Sequence, residues 1–165
     1  MSDVVDAFVS LGSNLGDREA TLRMALSALA ATPETSLVAV SSWYETDPVG
    51  PAPQGPYLNA AARLRTTLSA RDLLDRLLAI ERKAGRVRSA ERNAARTLDL
   101  DLLLYGVQRI DEPGLLVPHP RLHERGFVLE PLAEIAGERR HPRLGVAIAE
   151  LAARVRDATA VRRLR

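Results

Sequence analysis

The stretch RTLDLDLLLYG, residues 96–106, sets two carboxylates inside an otherwise apolar run, and no other feature constrains the fold as much. A run so rich in leucine predicts a buried strand. Successive side chains of a strand point to opposite faces, so Leu98, Leu100, Leu102 and Leu104 form one row and Asp99, Asp101, Leu103 and Tyr105 the other. At a rise of about 3.3 Å per residue the two Asp side chains leave the backbone roughly 6.6 Å apart, close enough to repel if both are ionised and dry. One face is core, and the other begins with two anions that require a positive partner.

The rest of the chain supplies a sheet for that strand. Residues 7–11 read as a strand running into the turn of LGSNLG, with Asp17 a helix cap before Leu22, Ala25, Leu26 and Leu29. SLVAVSSWYET (residues 36–46) and YLNAAARLRT (residues 57–66) alternate as strands. Between them DPVGPAPQGP is too rich in Pro and Gly for either regular state, and too long for a simple hairpin loop. Ser69 caps a helix carrying Leu73, Leu74, Leu77 and Ile80 on one face and ending near Gly85. After the Asp-bearing strand come helical turns through residues 127–137, a further helix in VAIAELAARVRD and a basic tail expected to be frayed. Strand, helix, two strands, helix, strand is the order of a ferredoxin-like α+β sheet. The expectation is a mainly antiparallel sheet with helices on one face and a central Asp strand whose acidic face opens on a cleft.

A chain of 165 residues, 46% of them hydrophobic, suits one domain with a full core. No stretch has the length of a membrane span, and the N-terminus lacks the basic start and long apolar run of a signal peptide, so a cytoplasmic protein is expected. The absence of cysteine excludes disulfides, thiolate catalysis and Cys-ligated zinc, leaving hard oxygen ligands.

An acidic pair on a strand suits divalent ions, as in sites that transfer phosphoryl groups, and equally suits the solvent face of an edge strand. Arg86, Arg88, Arg92 and Arg96 precede the pair; acid beside base suggests a polyphosphate held through metal on one side and guanidinium on the other, although the arginines alone fit a solvated loop. His119, between Pro118 and Pro120, is a candidate for a phosphate oxygen or a bystander. In a chain with so few aromatics, Tyr57 and Phe127 suggest a stacked flat heterocycle read by the Asn59 amide, or ordinary core rings. No GxxxxGK[ST] stretch is present, so a P-loop is not supported. An RNA-binding module would explain the arginines, but it would place aromatics where this strand has acids. A metal-dependent phosphohydrolase would leave Tyr57, Asn59 and Phe127 unused.

Taken in order, LGSNLGD, SSWYETDPVGP, YLNAA, GRVRSAERNAARTLDLDLLLYG and VPHPRLHERGFVLEPLAEI resemble the blocks of the 6-hydroxymethyl-7,8-dihydropterin pyrophosphokinases. The most specific of them is RNAARTLDLDLL. The resemblance implies one catalytic domain over residues 1–165 that transfers pyrophosphate from ATP to the pterin hydroxymethyl group in folate biosynthesis. It implies two Mg²⁺ on Asp99 and Asp101, with Arg86 and Arg96 stabilising the moving charge from a segment that closes as a lid. His119, Glu81, Arg88, Leu102 and Arg125 fall at positions that line the nucleotide site. Tyr57 and Phe127 would sandwich the pterin, with Asn59, Thr46 and the backbone around Val49 meeting its polar edge. Such an enzyme is expected to act as a monomer, without nucleic acid or membrane.

Overall fold

The computed structural model describes residues 3–47, 55–85, 98–156 and 161–164. β1 (Val5–Ser13) leads through Gly16, which turns at a φ of +69°, into α1 (Arg18–Ala30). The Asp17 carboxylate accepts the Ala20 N–H at 3.0 Å, as expected of a cap, and α1 buries Leu22, Ala25 and Leu29. The stretch read as one strand is two, β2 (Thr35–Val40) and β3 (Tyr44–Thr46), both paired with β4 (Tyr57–Thr66). The break falls at Ser41, whose hydroxyl accepts the Ala61 N–H at 2.9 Å and donates to the Ser42 carbonyl at 2.8 Å. A side chain there takes the place of a ladder bond, which alternation cannot reveal.

α2 (Ala70–Gly85) starts where expected, with the Asp72 N–H donating to the Ser69 hydroxyl at 3.0 Å. β5 (Asp99–Tyr105) follows, then the hairpin of β6 (Ile110–Glu112) and β7 (Leu115–Val117), a 3₁₀ turn at Leu122–Glu124, α3 (Gly126–Ala136), α4 (Ile148–Val155) and β8 (Val161–Arg163). Among the described residues the main sheet is antiparallel in the order β5-β1-β4-β3-β8, with β2 also on β4. The mainly antiparallel α+β sheet and the succession of elements along the chain are those expected from the sequence. No helix among the described residues is long and apolar enough to cross a membrane.

Four further details differ from expectation. β5 is an edge strand, not a central one. Helices cover both faces: α1 and α2 bury Leu22, Leu29, Leu73 and Leu77 against Val9, Leu11, Leu100 and Leu102, while α3 and α4 bury Leu129, Leu132, Ile148 and Leu151 against Phe8, Ala61, Leu103 and Leu104. The leucine row is interrupted, because Phe8 stands opposite Leu104 and Val9 opposite Leu102, leaving Leu103 as an extra residue. This bulge turns Leu104 to the α3 side and returns Tyr105 to the α1–α2 side, where its hydroxyl donates to the Leu68 carbonyl. Lastly, residues 161–163 are not frayed: they pair with β3.

At the end of the sheet remote from Asp99, Asp6 Oδ2 accepts from Arg63 at 2.9 Å and Arg139 at 2.8 Å, joining β1, β4 and the chain just after α3. Burial pushes the Asp6 carboxyl up, but the hydrogen bonds and charges of the two arginines outweigh it and hold the group below its ordinary value. A depressed carboxylate stabilises the fold above the unfolded pKa of about 3.9 and loses that effect as pH falls through the lower folded value. Asp6→Asn is therefore expected to cost on the order of 1 kcal/mol at neutral pH, since the partners are partly exposed. Urea unfolding across a pH series should show the gap from wild type closing below about pH 4; a pH-independent gap would count against an ionic origin.

Candidate active site

Register builds the site. Gly12 of β1 stands opposite Asp99 on one side and Asn59 on the other, and Ser10 stands opposite Asp101 and Ala61. Directly opposed residues project to the same face, so Asp99, Gly12 and Asn59 form one row across the sheet and Asp101, Ser10 and Ala61 the next. α3 and α4 cover this face only from Ala61, Phe8 and Leu103 onward. Asp99, Asp101 and Ser10 stay half-buried, whereas Gly12, Asn59 and Ala61 are buried. A Cβ at Gly12 would lie 3.2 Å from Asn59 Oδ1 and 3.7 Å from the Tyr57 ring, so glycine in mid-strand clears the floor.

Two cavities meet at the carboxylates. The first, about 470 Å³, runs along the open edge of β5 beneath α2 and the β6–β7 hairpin; Leu74, Leu78, Glu81, Leu102, Leu116 and His119 line it, together with Asp99 and Asp101. The second, about 480 Å³, lies over the open face of the sheet and is lined by Gly12, Thr46, Tyr57, Asn59, Arg125 and Phe127, again with Asp99 and Asp101. The structure thus brings Asp99, Asp101, Glu81, Leu102 and His119 together in one cavity. Thr46, Tyr57, Asn59 and Phe127 share the other, and so does Arg125, which the sequence reading grouped with the nucleotide residues. Arg86, Arg88, Arg96 and Val49 lie outside the described residues.

The edge position of β5 explains how the walls are held. Glu81 reaches from α2 to accept the Leu100 N–H at 2.6 Å, taking a donor that an edge strand leaves open. The carbonyl of Leu103 accepts the His119 N–H at 3.0 Å, so the bulge also anchors the histidine loop. His119 Nδ1 accepts the Arg121 N–H at 3.1 Å, which assigns the ring proton of the neutral form to Nε2. Burial lowers the affinity of this imidazole for a second proton; Asp101 opposes the shift, and Arg125 and Arg121 add to it. In the second cavity the Asn59 amide donates to Thr46 Oγ1 at 3.0 Å, with both residues buried, and the Arg125 guanidinium lies 5.7 Å from the centre of the Phe127 ring.

Several lining residues escaped the sequence reading. Leu78, Leu116, Ser10, Asp47, Arg121 and Glu124 carry no expectation of a site role there, and Leu74 figures only on the apolar face of its helix. Gly12 was absorbed into the LGSNLG turn, although it is the last residue but one of β1. A glycine two places beyond Ser10 on an apolar strand was the one available sign of close approach.

The sequence pattern of the 7,8-dihydro-6-hydroxymethylpterin-pyrophosphokinase (HPPK) family matches residues 8–137. The chain is 50% identical over 135 residues to the 2-amino-4-hydroxy-6-hydroxymethyldihydropteridine pyrophosphokinase of Pseudomonas aeruginosa, covering 82% of this chain and 83% of that one. It is 47% identical over 129 residues to the enzyme of the same name from Bacillus subtilis, covering 78% and 77%. The fold superimposes on the crystal structure of Plasmodium falciparum HPPK-DHPS wild type with SDX-DHP at a TM-score of 0.76 and 14% identity, covering 96% of this chain and 46% of that longer one. Cavities that share one acidic wall are what a transfer between two substrates requires, and with this degree of identity the chain belongs to the HPPK family, whose members transfer pyrophosphate to hydroxymethyldihydropterin in folate biosynthesis.

Proposed function

We propose that ATP binds the first cavity and 6-hydroxymethyl-7,8-dihydropterin the second, so that the β-phosphate and the hydroxymethyl group meet beside Asp99 and Asp101. The observation that carries this reading is that the same two carboxylates line both cavities. In the reaction the hydroxymethyl oxygen forms a bond to the β-phosphorus. The bond from that phosphorus to the oxygen bridging the α-phosphate breaks, its electron pair leaving on AMP, and the hydroxyl proton passes to solvent. One catalytic unit over residues 1–165 carries this out; the pairing of β8 with the main sheet supports taking the C-terminus as part of it.

The donor set fits Mg²⁺. Asp99 and Asp101 offer acceptor-only hard oxygens, and no group of three or more His, Cys, Asp or Glu residues poised for a metal occurs among the described residues. Two carboxylates completed by water and substrate phosphates are the usual surroundings of this ion, in contrast to an all-protein cage. Asp99 and Asp101 would hold two Mg²⁺, which when bound offset phosphate charge and draw the triphosphate to an otherwise repulsive wall. Leu74, Leu78, Leu102 and Leu116 give the first cavity an apolar surface for a base, and His119 Nε2 is a donor suited to a phosphate oxygen. Glu81, which also lines this cavity, holds the strand through Leu100. Arg86, Arg88 and Arg96 are assigned to the phosphates by the sequence resemblance.

On the pterin side Tyr57 and Phe127 offer ring faces. With its amide nitrogen committed to Thr46, Asn59 presents its oxygen toward the donors on the edge of a pterin. Arg125, close to the Phe127 ring, stands where it can serve both the stacked ring and the phosphates beyond.

The first experiment is AMP release from MgATP with and without the dihydropterin. Release that depends on the pterin is expected; equal release without it would indicate a phosphohydrolase. Asp99→Ala and Asp101→Ala should each lower turnover by on the order of a hundredfold or more while the protein still folds. Near-normal turnover of both variants in Mg²⁺ would sink the metal-site assignment. Phe127→Ala should weaken pterin binding by roughly 1–3 kcal/mol and spare ATP, because stacking is local to the ring. Gly12→Ala should likewise raise the KM for pterin, since the new methyl group crowds Asn59 Oδ1. Calorimetric titration with each substrate separates these outcomes from a general loss of structure, which would weaken both.

A further inference from the structure

β8 lies beyond residues 8–137, the span matched by the family pattern, and pairs with β3, whose Thr46 lines the second cavity. β3 is only three residues long and is held between β4 and β8, with Tyr44 opposite Arg163, Glu45 opposite Arg162 and Thr46 opposite Val161. Thr46 is the residue that fixes the Asn59 amide. A strand this short has few ladder bonds of its own, so its position depends on both neighbours.

A chain of charges reinforces the pairing. Arg162 Nη2 lies 3.2 Å from Glu45 Oε1 and 3.2 Å from Asp47 Oδ1. The other Glu45 oxygen meets Arg18 Nη1 at 2.9 Å, and that same nitrogen donates to the Pro56 carbonyl at 2.9 Å. The chain Asp47, Arg162, Glu45, Arg18, Pro56 therefore ties the end of β3 to the start of β4, next to Thr46 and Tyr57. Asp47 lines the second cavity, where it is one of four carboxylates with Asp99, Asp101 and Glu124, against the guanidinium groups of Arg121 and Arg125. A cation behind Asp47 turns one of these acids toward β8 and offsets its charge at the mouth of a cavity that must admit a substrate near phosphates.

We propose that Arg162 is a positioning residue for the pterin site: from the edge of the sheet it holds Asp47 and Glu45, and through them β3 with Thr46 and the rim of the second cavity. The inference rests on the reading of that cavity as the pterin site. Arg162 and Asp47 are exposed and Glu45 is the more covered partner, and the effect is correspondingly moderate.

The test is steady-state kinetics with both substrates varied, on Arg162→Ala, Arg162→Lys, Asp47→Asn and the double variant, with Phe127→Ala as the reference for the cavity. Arg162→Ala should raise the KM for pterin about three- to tenfold and leave kcat and the KM for ATP within about twofold. Arg162→Lys should restore the wild-type value, because both contacts run from a single nitrogen that an ammonium can replace. In the Asp47→Asn background, Arg162→Ala should add less than about twofold, the mark of two residues acting as one unit. Arg162→Gln, which keeps most of the stem, gives the same reading if Arg162→Ala does not fold. An unchanged KM for pterin in the Arg162 variants, with Phe127→Ala raising it, overturns the proposal and leaves the cavity assignment standing. Failure of Phe127→Ala to raise it overturns the cavity assignment itself. A matched rise in both KM values with a lowered Tm and no rescue by lysine marks a merely structural role, and also overturns the proposal.

Discussion

The site depends on where β5 sits. Two carboxylates on a strand are tolerable only if water, cations or phosphate-bound metal reach them, and an edge strand gives access from two directions, over the face and around the side. Asp99 and Asp101 use both: one cavity lies over the sheet, the other along the free edge. A strand flanked on both sides by neighbours would expose the carboxylates to one cavity only. The usual liability of an edge, its unpaired backbone groups, is met by Glu81 at Leu100 and by His119 at Leu103, so residues that line the first cavity also close the strand.

The bulge at Leu103 divides the same face into two regimes. Beyond it lie Leu103 and Leu104, buried with Phe8 under α3 and α4; before it lie Asp101 and Asp99, half-exposed. A stiff, packed half anchors the carboxylates from behind, since Leu98, Leu100 and Leu102 are nearly fully buried against α1 and α2. Charge that must be held in a fixed geometry is best carried by such a strand, whose backbone has little freedom left. Across the sheet Gly12 does the complementary task by subtraction, leaving the space that Asn59 and Tyr57 border.

Much of this was legible locally. Asp17 and Ser69 cap helices through contacts within three residues, so their types and positions suffice to place α1 and α2. The alternation of residues 98–102 put both carboxylates on one face, and the block order around them matched a known family. The sequence did not disclose the break at Ser41, the bulge at Leu103 or the pairing of β8. Each depends on a partner strand: Ser41 answers to Ala61, Leu103 to the register between Phe8 and Val9, and Arg162 to Glu45 and Asp47, more than a hundred positions away. A three-residue strand reading VRR carries no periodicity from which to be found.

By itself, then, the sequence determined the element types, the family, the acidic pair and the aromatic and amide residues that line the second cavity, because these follow from side-chain chemistry and short-range spacing. Tertiary structure alone decided that helices cover both faces of the sheet and that β5 is its edge. It also decided that Arg125 stands with Phe127 and that Asp99 and Asp101 form a wall common to two cavities. Those facts are relations between segments far apart in the chain, fixed by strand register and by which apolar faces find one another, and no local pattern encodes them.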